Sequence, residues 1–326
     1  MTAENVKLPF FSAARVRSAA PWTTAVAALE RALLDDVDPE EDGRRLFSPA
    51  PDGEFLLMPA SGRRYSGVKA LTVAPGNPSR GLEKIQGVYI LFDSDTLAPL
   101  ATIDGNELTA VRTPATTLLA VKHILAAAPG GAVENPRVLV FGTGIQAVNH
   151  LRAASAVLPG ASLAVVGRRR DRVENLIAQL AAEGVVVRAA EAEDDDGTQE
   201  ELAAADVVIC ATSSSTPLFD GGLVAPGAVV AAIGQHGLDA REVDATLVRR
   251  SDVVVEGRAS ALREAGDLIP ARSAEEWEAI RPVNLRELVA GKLQRTPGKP
   301  CLYAGVGMAW EDLVTAALVY EGGTRP

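Results

Sequence analysis

The sequence predicts an α/β protein with a doubly wound parallel sheet and a second, smaller α+β region. Two textures in the chain predict it. From residue 137 onward, continuous apolar runs alternate with helical stretches: VLVF (138–141), LAVVG (163–167), VVVRA (185–189), DVVICAT (206–212), AVVAAIG (228–234) and DVVVEG (252–257). Strands that are apolar at every position belong to parallel sheets covered on both faces, and regular strand–helix alternation winds such a sheet. Before residue 105 the strand-like stretches EFLLMP (54–59), YSGVKALTVA (65–74), GVYILFD (87–93) and LATID (100–104) are separated by turns such as Pro75-Gly76-Asn77-Pro78. Connections this short favour antiparallel or mixed pairing, because parallel neighbours need longer crossovers.

The remaining elements follow from local signals. Residues 21–36 read as an amphipathic helix with Pro21 in its first turn. Residues 107–127 read as a long helix in which Pro114 suggests a kink or a break. PGGAVENP (129–136) reads as a loop and a domain boundary, and 283–293 as helical. CLYAGVGMAWEDLVTAALVYE (301–321) reads as a strand, a glycine-rich turn and a final helix.

Composition narrows the function classes. The chain has 326 residues, 47% of them apolar and 23% charged, enough to bury about two cores. A formal charge of −10 disfavours nucleic acid and anionic membranes as partners. No apolar run approaches the roughly 20 residues that span a bilayer. The N-terminus lacks the pattern of a secretory signal. Two cysteines, Cys210 and Cys301, cannot form a disulfide framework and suggest a reducing compartment, by default the cytoplasm. With three histidines they offer no evident metal site.

The sharpest motif is Gly142-Thr143-Gly144-Ile145-Gln146-Ala147, placed between the strand RVLVF and a helical stretch. In that setting the glycines let the backbone turn tightly and approach a pyrophosphate, and the helix N-terminus presents unpaired N–H groups to it. The expectation is a Rossmann dinucleotide site. The next strand ends in Gly167-Arg168-Arg169-Arg170, where an NAD site usually carries a carboxylate. Guanidinium groups pair with a 2′-phosphate, so NADP(H) is expected to be preferred, with NAD(H) possible. The alternative is a solvated basic turn. Thr212 follows the fourth strand, where strand ends line a cofactor cleft. Thr113 joins the expected cofactor contacts. Lys69, Arg112, Arg44 and Arg45 lie in otherwise apolar contexts. Each could serve a buried anion or merely bury its stem.

At this point LMPASGRRYSGVKALTVAPGN (57–77), DSDTLAPLATIDGNELTAVRTPAT (93–116), RVLVFGTGIQA (137–147), DVVICATSSSTPLF (206–219), PGAVVAAIGQHGLDAREVD (226–244) and GVGMAWEDL (305–313) together resemble the ornithine cyclodeaminase/mu-crystallin family, in family order. The resemblance implies a discontinuous substrate-binding and dimerisation domain (1–117 plus 303–326), an NAD(P)-binding domain (118–302) and a homodimer. It makes Lys69 the active-site lysine and Arg112 and Arg45, or Arg44, the carboxylate-binding arginines. Cyclodeaminases of the family carry an aspartate where this chain has His236, which puts ornithine cyclisation in doubt. His236 could instead donate a proton to an imine, or simply hydrogen-bond in the cleft wall. Asp239 or Glu242 could replace the aspartate. The expected activity is NAD(P)H-dependent reduction of a small α-imino acid, a ketimine such as 1-pyrroline-2-carboxylate. The alternatives are ornithine cyclodeaminase, an alanine-type dehydrogenase, and a non-catalytic NADPH-dependent binding protein.

Overall fold

The computed structural model describes residues 8–131, 133–190, 195–234 and 237–324. The elements in chain order are β1 (Phe10–Phe11), α1 (Ala13–Ala19), α2 (Trp22–Asp35), β2 (Leu46–Ala50), β3 (Gly53–Ser61), β4 (Tyr65–Val73), β5 (Ile85–Asp93), β6 (Pro99–Asp104) and α3 (Gly105–Ala126). There follow β7 (Arg137–Phe141), α4 (Ile145–Val157), β8 (Ser162–Val166), α5 (Arg170–Ala182), β9 (Val187–Ala189), α6 (Asp195–Ala204), β10 (Val207–Cys210) and β11 (Val229–Ala232). The chain closes with α7 (Ala245–Arg250), β12 (Asp252–Val255), α8 (Arg258–Glu264), α9 (Ala274–Ile280), β13 (Val283–Asn284), α10 (Leu285–Val289), β14 (Cys301–Ala304) and α11 (Ala309–Thr324). They form two compact units, one of Met1–Thr113 with Met308–Pro326, the other Pro114–Gly307.

The first unit holds a six-stranded sheet in the order β1-β6-β5-β4-β3-β2. Pairing is antiparallel from β2 to β6, and parallel only between β1 and β6. Alternation along the strands sorts the two faces. Leu56, Met58, Lys69, Leu71, Tyr89, Leu91, Ala101 and Ile103 are buried on one side. Helix α11 packs on β3, β4 and β5, and α1 and α2 pack on α11. On the other side Leu57, Val68, Ala70, Val88 and Ile90 remain half-buried, and Leu46 and Phe55 are exposed.

The second unit holds eight parallel strands in the order β13-β12-β14-β11-β10-β7-β8-β9. All six runs read as strands take part. The order reverses between β7 and β10, the switch point at which such sheets bind ligands beyond the carboxyl ends of the strands. Continuous burial of β7, β10, β11 and β14 matches cover on both faces.

Four expectations need amendment. Helix α3 runs unbroken through Pro114. Burial of Val111, Ala115, Leu118 and Leu119 around it offsets the roughly 3 kcal/mol that an interior proline costs. The first division of the chain falls inside α3 at 113/114, not in the loop 129–136 or at 117. The return falls at 307/308 rather than 302/303, because β14 is an interior strand of the eight-stranded sheet. Residues 283–293 begin with β13 before the short helix α10. No helix among the described residues is long and apolar enough to cross a membrane.

Candidate active site

In the first unit Met58, Lys69, Tyr89 and Ile103 lie opposite one another on β3, β4, β5 and β6, forming one row across the buried face. Lys69 is only 1% exposed, which would be prohibitive for a lone ammonium. Its Nζ donates to Asp312 Oδ1 at 2.9 Å and lies 2.7 Å from Oδ2. A second donation goes to Thr109 Oγ1 at 3.2 Å. That hydroxyl gives its own hydrogen to the Gly105 carbonyl at 2.9 Å, which leaves a lone pair for the lysine. Two of the three ammonium hydrogens are thus used.

Arg112 sits one helical turn beyond Thr109 on α3. Its Nη1 donates to Glu311 Oε2 at 2.8 Å, and its Nε lies 3.3 Å from Asp312 Oδ1. Glu311 and Asp312 are wholly buried in the first turn of α11, where the helix dipole favours carboxylates. Asp42 accepts from the Ala309 and Trp310 N–H groups at 2.8 and 2.9 Å and so holds the start of that helix. Burial lowers the Lys69 ammonium to about 8, with Arg112 and Arg45 pulling the same way and Asp312 opposing them. Arg45 is therefore within electrostatic reach of Lys69. Its neighbour Arg44 is exposed, and Arg45 is half-buried. Burial, followed by the charges of Asp312 and Asp42, holds the Tyr89 phenol well above its usual value. The Tyr89 hydroxyl is buried without a partner among the described residues. It needs Gly67, since a Cβ there would lie 2.3 Å from it.

The second unit builds the glycine turn at the switch point. Gly142 has φ +123°, and a Cβ on it would come 2.4 Å from the Ala211 carbonyl oxygen beyond β10. Gly144 opens α4 with no side-chain cap, and a Cβ on it would enter open space. Ala147 is fully buried. The first N–H groups of α4 and the room above Gly144 fit a pyrophosphate. Ile145 is 64% exposed, and the Gln146 Oε1 is buried without a partner among the described residues. Thr143 packs beside Gly167, where any Cβ would meet its methyl at 2.5 Å. Of the three arginines after β8, Arg169 pairs with Asp171 at 3.0 Å and Arg170 with Glu174 at 3.0 Å. Arg168 is exposed and has no partner among the described residues. Thr113 is half-buried on α3.

Thr212 is held by Glu242, which accepts from its N–H at 2.6 Å and its hydroxyl at 2.7 Å. The other Glu242 oxygen accepts from Gly234 N–H at 2.7 Å. Burial raises this carboxyl to about 7. Glu242 thus ties the ends of β10 and β11 together. Asp239 is exposed, and His236 lies outside the described residues.

The model of the ornithine cyclodeaminase/mu-crystallin family matches residues 15–324. The chain belongs to that family. It is 34% identical, over 94% of its length and 93% of theirs, to two proteins. One is Delta(1)-pyrroline-2-carboxylate reductase 2 of Burkholderia ambifaria, the other the Delta(1)-pyrroline-2-carboxylate/Delta(1)-piperideine-2-carboxylate reductase of Azospirillum brasilense. Its fold is similar to that of Thermococcus litoralis Delta(1)-pyrroline-2-carboxylate reductase in complex with NADH and L-proline, with a TM-score of 0.80, 25% identity and 97% of each chain covered. Lys69 and Arg112, the two cations that the resemblance singles out, lie in one cluster in this structure. Glu311, Asp312, Asp42, Tyr89 and Thr109 complete the cluster without having been singled out in the sequence. One signal was available: two adjacent acids, Glu311 and Asp312, in the otherwise apolar stretch MAWEDLVTAALV.

Proposed function

We propose that this chain is an NAD(P)H-dependent reductase of the C=N bond in small cyclic α-imino acids, 1-pyrroline-2-carboxylate and its six-membered homologue. The carrying observation is the fully buried Lys69, which keeps one hydrogen uncommitted among the described residues and lies beside a buried arginine. The names of the 34%-identical relatives point to the same substrates. Bound NADPH supplies the hydride that the α-carbon of the imine receives. Arg112 and Arg45 hold the substrate carboxylate, a positioning effect that fixes the α-carbon. Lys69 gives its third hydrogen to the imine nitrogen and so keeps it charged, because an iminium carbon accepts hydride far better than a neutral imine. His236 is a candidate for the same proton transfer. No net negative charge is held at the position of the cyclodeaminase aspartate, which argues against ornithine cyclisation.

Arg168, without a partner among the described residues, supports NADPH over NADH. The half-exposed apolar face of the six-stranded sheet supports a homodimer through that face. Light scattering should give twice 34.0 kDa, and a mass of one chain would exclude the dimer. Cys210 and Cys301, both buried and unpaired, suit a reducing compartment, and cytoplasm is the proposed location. The deciding experiment is incubation with NADPH and 1-pyrroline-2-carboxylate. Cofactor oxidation with formation of proline is expected. Binding of NADPH with no turnover over a panel of cyclic and linear imino acids would refute the reading.

A further inference from the structure

Lys69 sits where no ammonium survives without compensation, and the compensation comes from one side chain. The groups that face it are Tyr89 on β5, Thr109 and Arg112 on α3, Arg45 before β2, and Asp312 on α11, with Asp42 close to Tyr89. Two of these are cations and push the ammonium towards neutrality. Tyr89 and Thr109 carry no charge. Glu311 is spent on Arg112. Among the described residues only Asp312 touches Lys69 with negative charge, at 2.7 and 2.9 Å, and it is itself 0% exposed.

We propose that Asp312 is a positioning residue that keeps Lys69 in its ammonium form and decides which of its hydrogens is left for the substrate. This rests on the reductase reading for the reaction, but not for the charge state. Among the described residues, Asp312 and Thr109 take two tetrahedral directions of the nitrogen and leave the third. Without the carboxylate, burial and the two arginines act unopposed, and the lysine loses its proton at a lower pH. A rate that needs the ammonium then falls earlier on the alkaline side. Below both midpoints the two rates differ by a constant factor that reports the positioning role. Above both, that difference widens by about tenfold for every pH unit that separates the midpoints.

The test has two arms. In the first, kcat/KM for 1-pyrroline-2-carboxylate is followed from pH 6 to 10 in the wild type and Asp312→Asn. The wild-type alkaline limb is expected near 8, and that of the variant at least about one pH unit lower, so that the loss grows with pH. An equal loss at every pH overturns the proposal. In the second arm the Lys69 Cε resonance is titrated by NMR with 13C-labelled lysine, assigned by its absence in Lys69→Arg. This arm needs no turnover, so it separates failure of this inference from failure of the reductase reading. A wild-type midpoint at the ordinary lysine value near 10.4, or one unmoved in Asp312→Asn, overturns the proposal. If Asp312→Asn does not fold, Asp312→Glu keeps the charge but moves it. Its midpoint should stay within about half a pH unit while kcat falls at least tenfold, and a retained kcat overturns the positioning role.

Discussion

The cation cluster of the first unit and the glycine turn of the second solve opposite problems. At the turn, the protein must leave backbone N–H groups unsatisfied and keep side chains out of the way. Gly142 and Gly144 do this by omission. In the cluster, side chains must hold charge where water is absent, and Lys69 and Arg112 are each met by a carboxylate from a distant part of the chain. The turn is a local device of six consecutive residues. The cluster is assembled from residues 40, 199 and 243 positions apart. An open site tolerates changes around it and fails on added atoms. A charge-balanced site fails on any subtraction, because the remaining partner is stranded.

Subtraction should therefore have the larger effect. Lys69→Ala removes the proposed proton donor and leaves Asp312 buried opposite an empty position. We expect kcat/KM for imine reduction to fall by about 10²–10⁴ and stability by roughly 3–5 kcal/mol, measured by steady-state kinetics and urea unfolding. Unchanged turnover would remove Lys69 from the mechanism. Addition comes next. Gly142→Ala places a methyl 2.4 Å from a carbonyl oxygen at a φ that alanine disfavours. NADPH affinity, read by fluorescence titration, should weaken at least about tenfold, with a stability cost of about 1–3 kcal/mol. An alanine variant that binds normally would mean the turn does not contact the cofactor. The smallest effect is expected at Arg168, which pairs with none of the described residues. Arg168→Ala should cut the ratio of kcat/KM for NADPH to that for NADH by about tenfold, the worth of one charge-assisted pair, while leaving stability unchanged. A ratio that does not move would leave the basic turn as solvated surface.

The same contrast explains what could be read from the sequence. Periodicity is a local property, so the six parallel strands and the antiparallel strands β3 to β6 were legible, as was the motif 142–147 between strand and helix. Lys69 and Arg112 stood out because a cation in an apolar run is locally anomalous. Their partners did not, since pairing Asp312 with Lys69 requires knowing that α11 returns to β3, β4 and β5. Glu242 looked like a substitute catalytic acid from its position in the chain. Only the bonds to Thr212 and Gly234 reveal it as a tie between strand ends. The short edge strands β1 and β2 carry too few residues for an alternation to register, and β2 is exposed along almost its whole length. Pro114 gave a true local signal that the packing around it overrode.

The seating of Glu311 and Asp312 on α11 also sets a schedule for biosynthesis. The lysine leaves the ribosome 243 residues ahead of its counter-charge, and the arginine 199 residues ahead of the glutamate. At roughly 5–20 residues per second that is an interval of about ten to fifty seconds. Through it the nascent sheet must keep both cations hydrated and its inner face uncovered, so this sheet, made well before α11, is among the last parts to become dry.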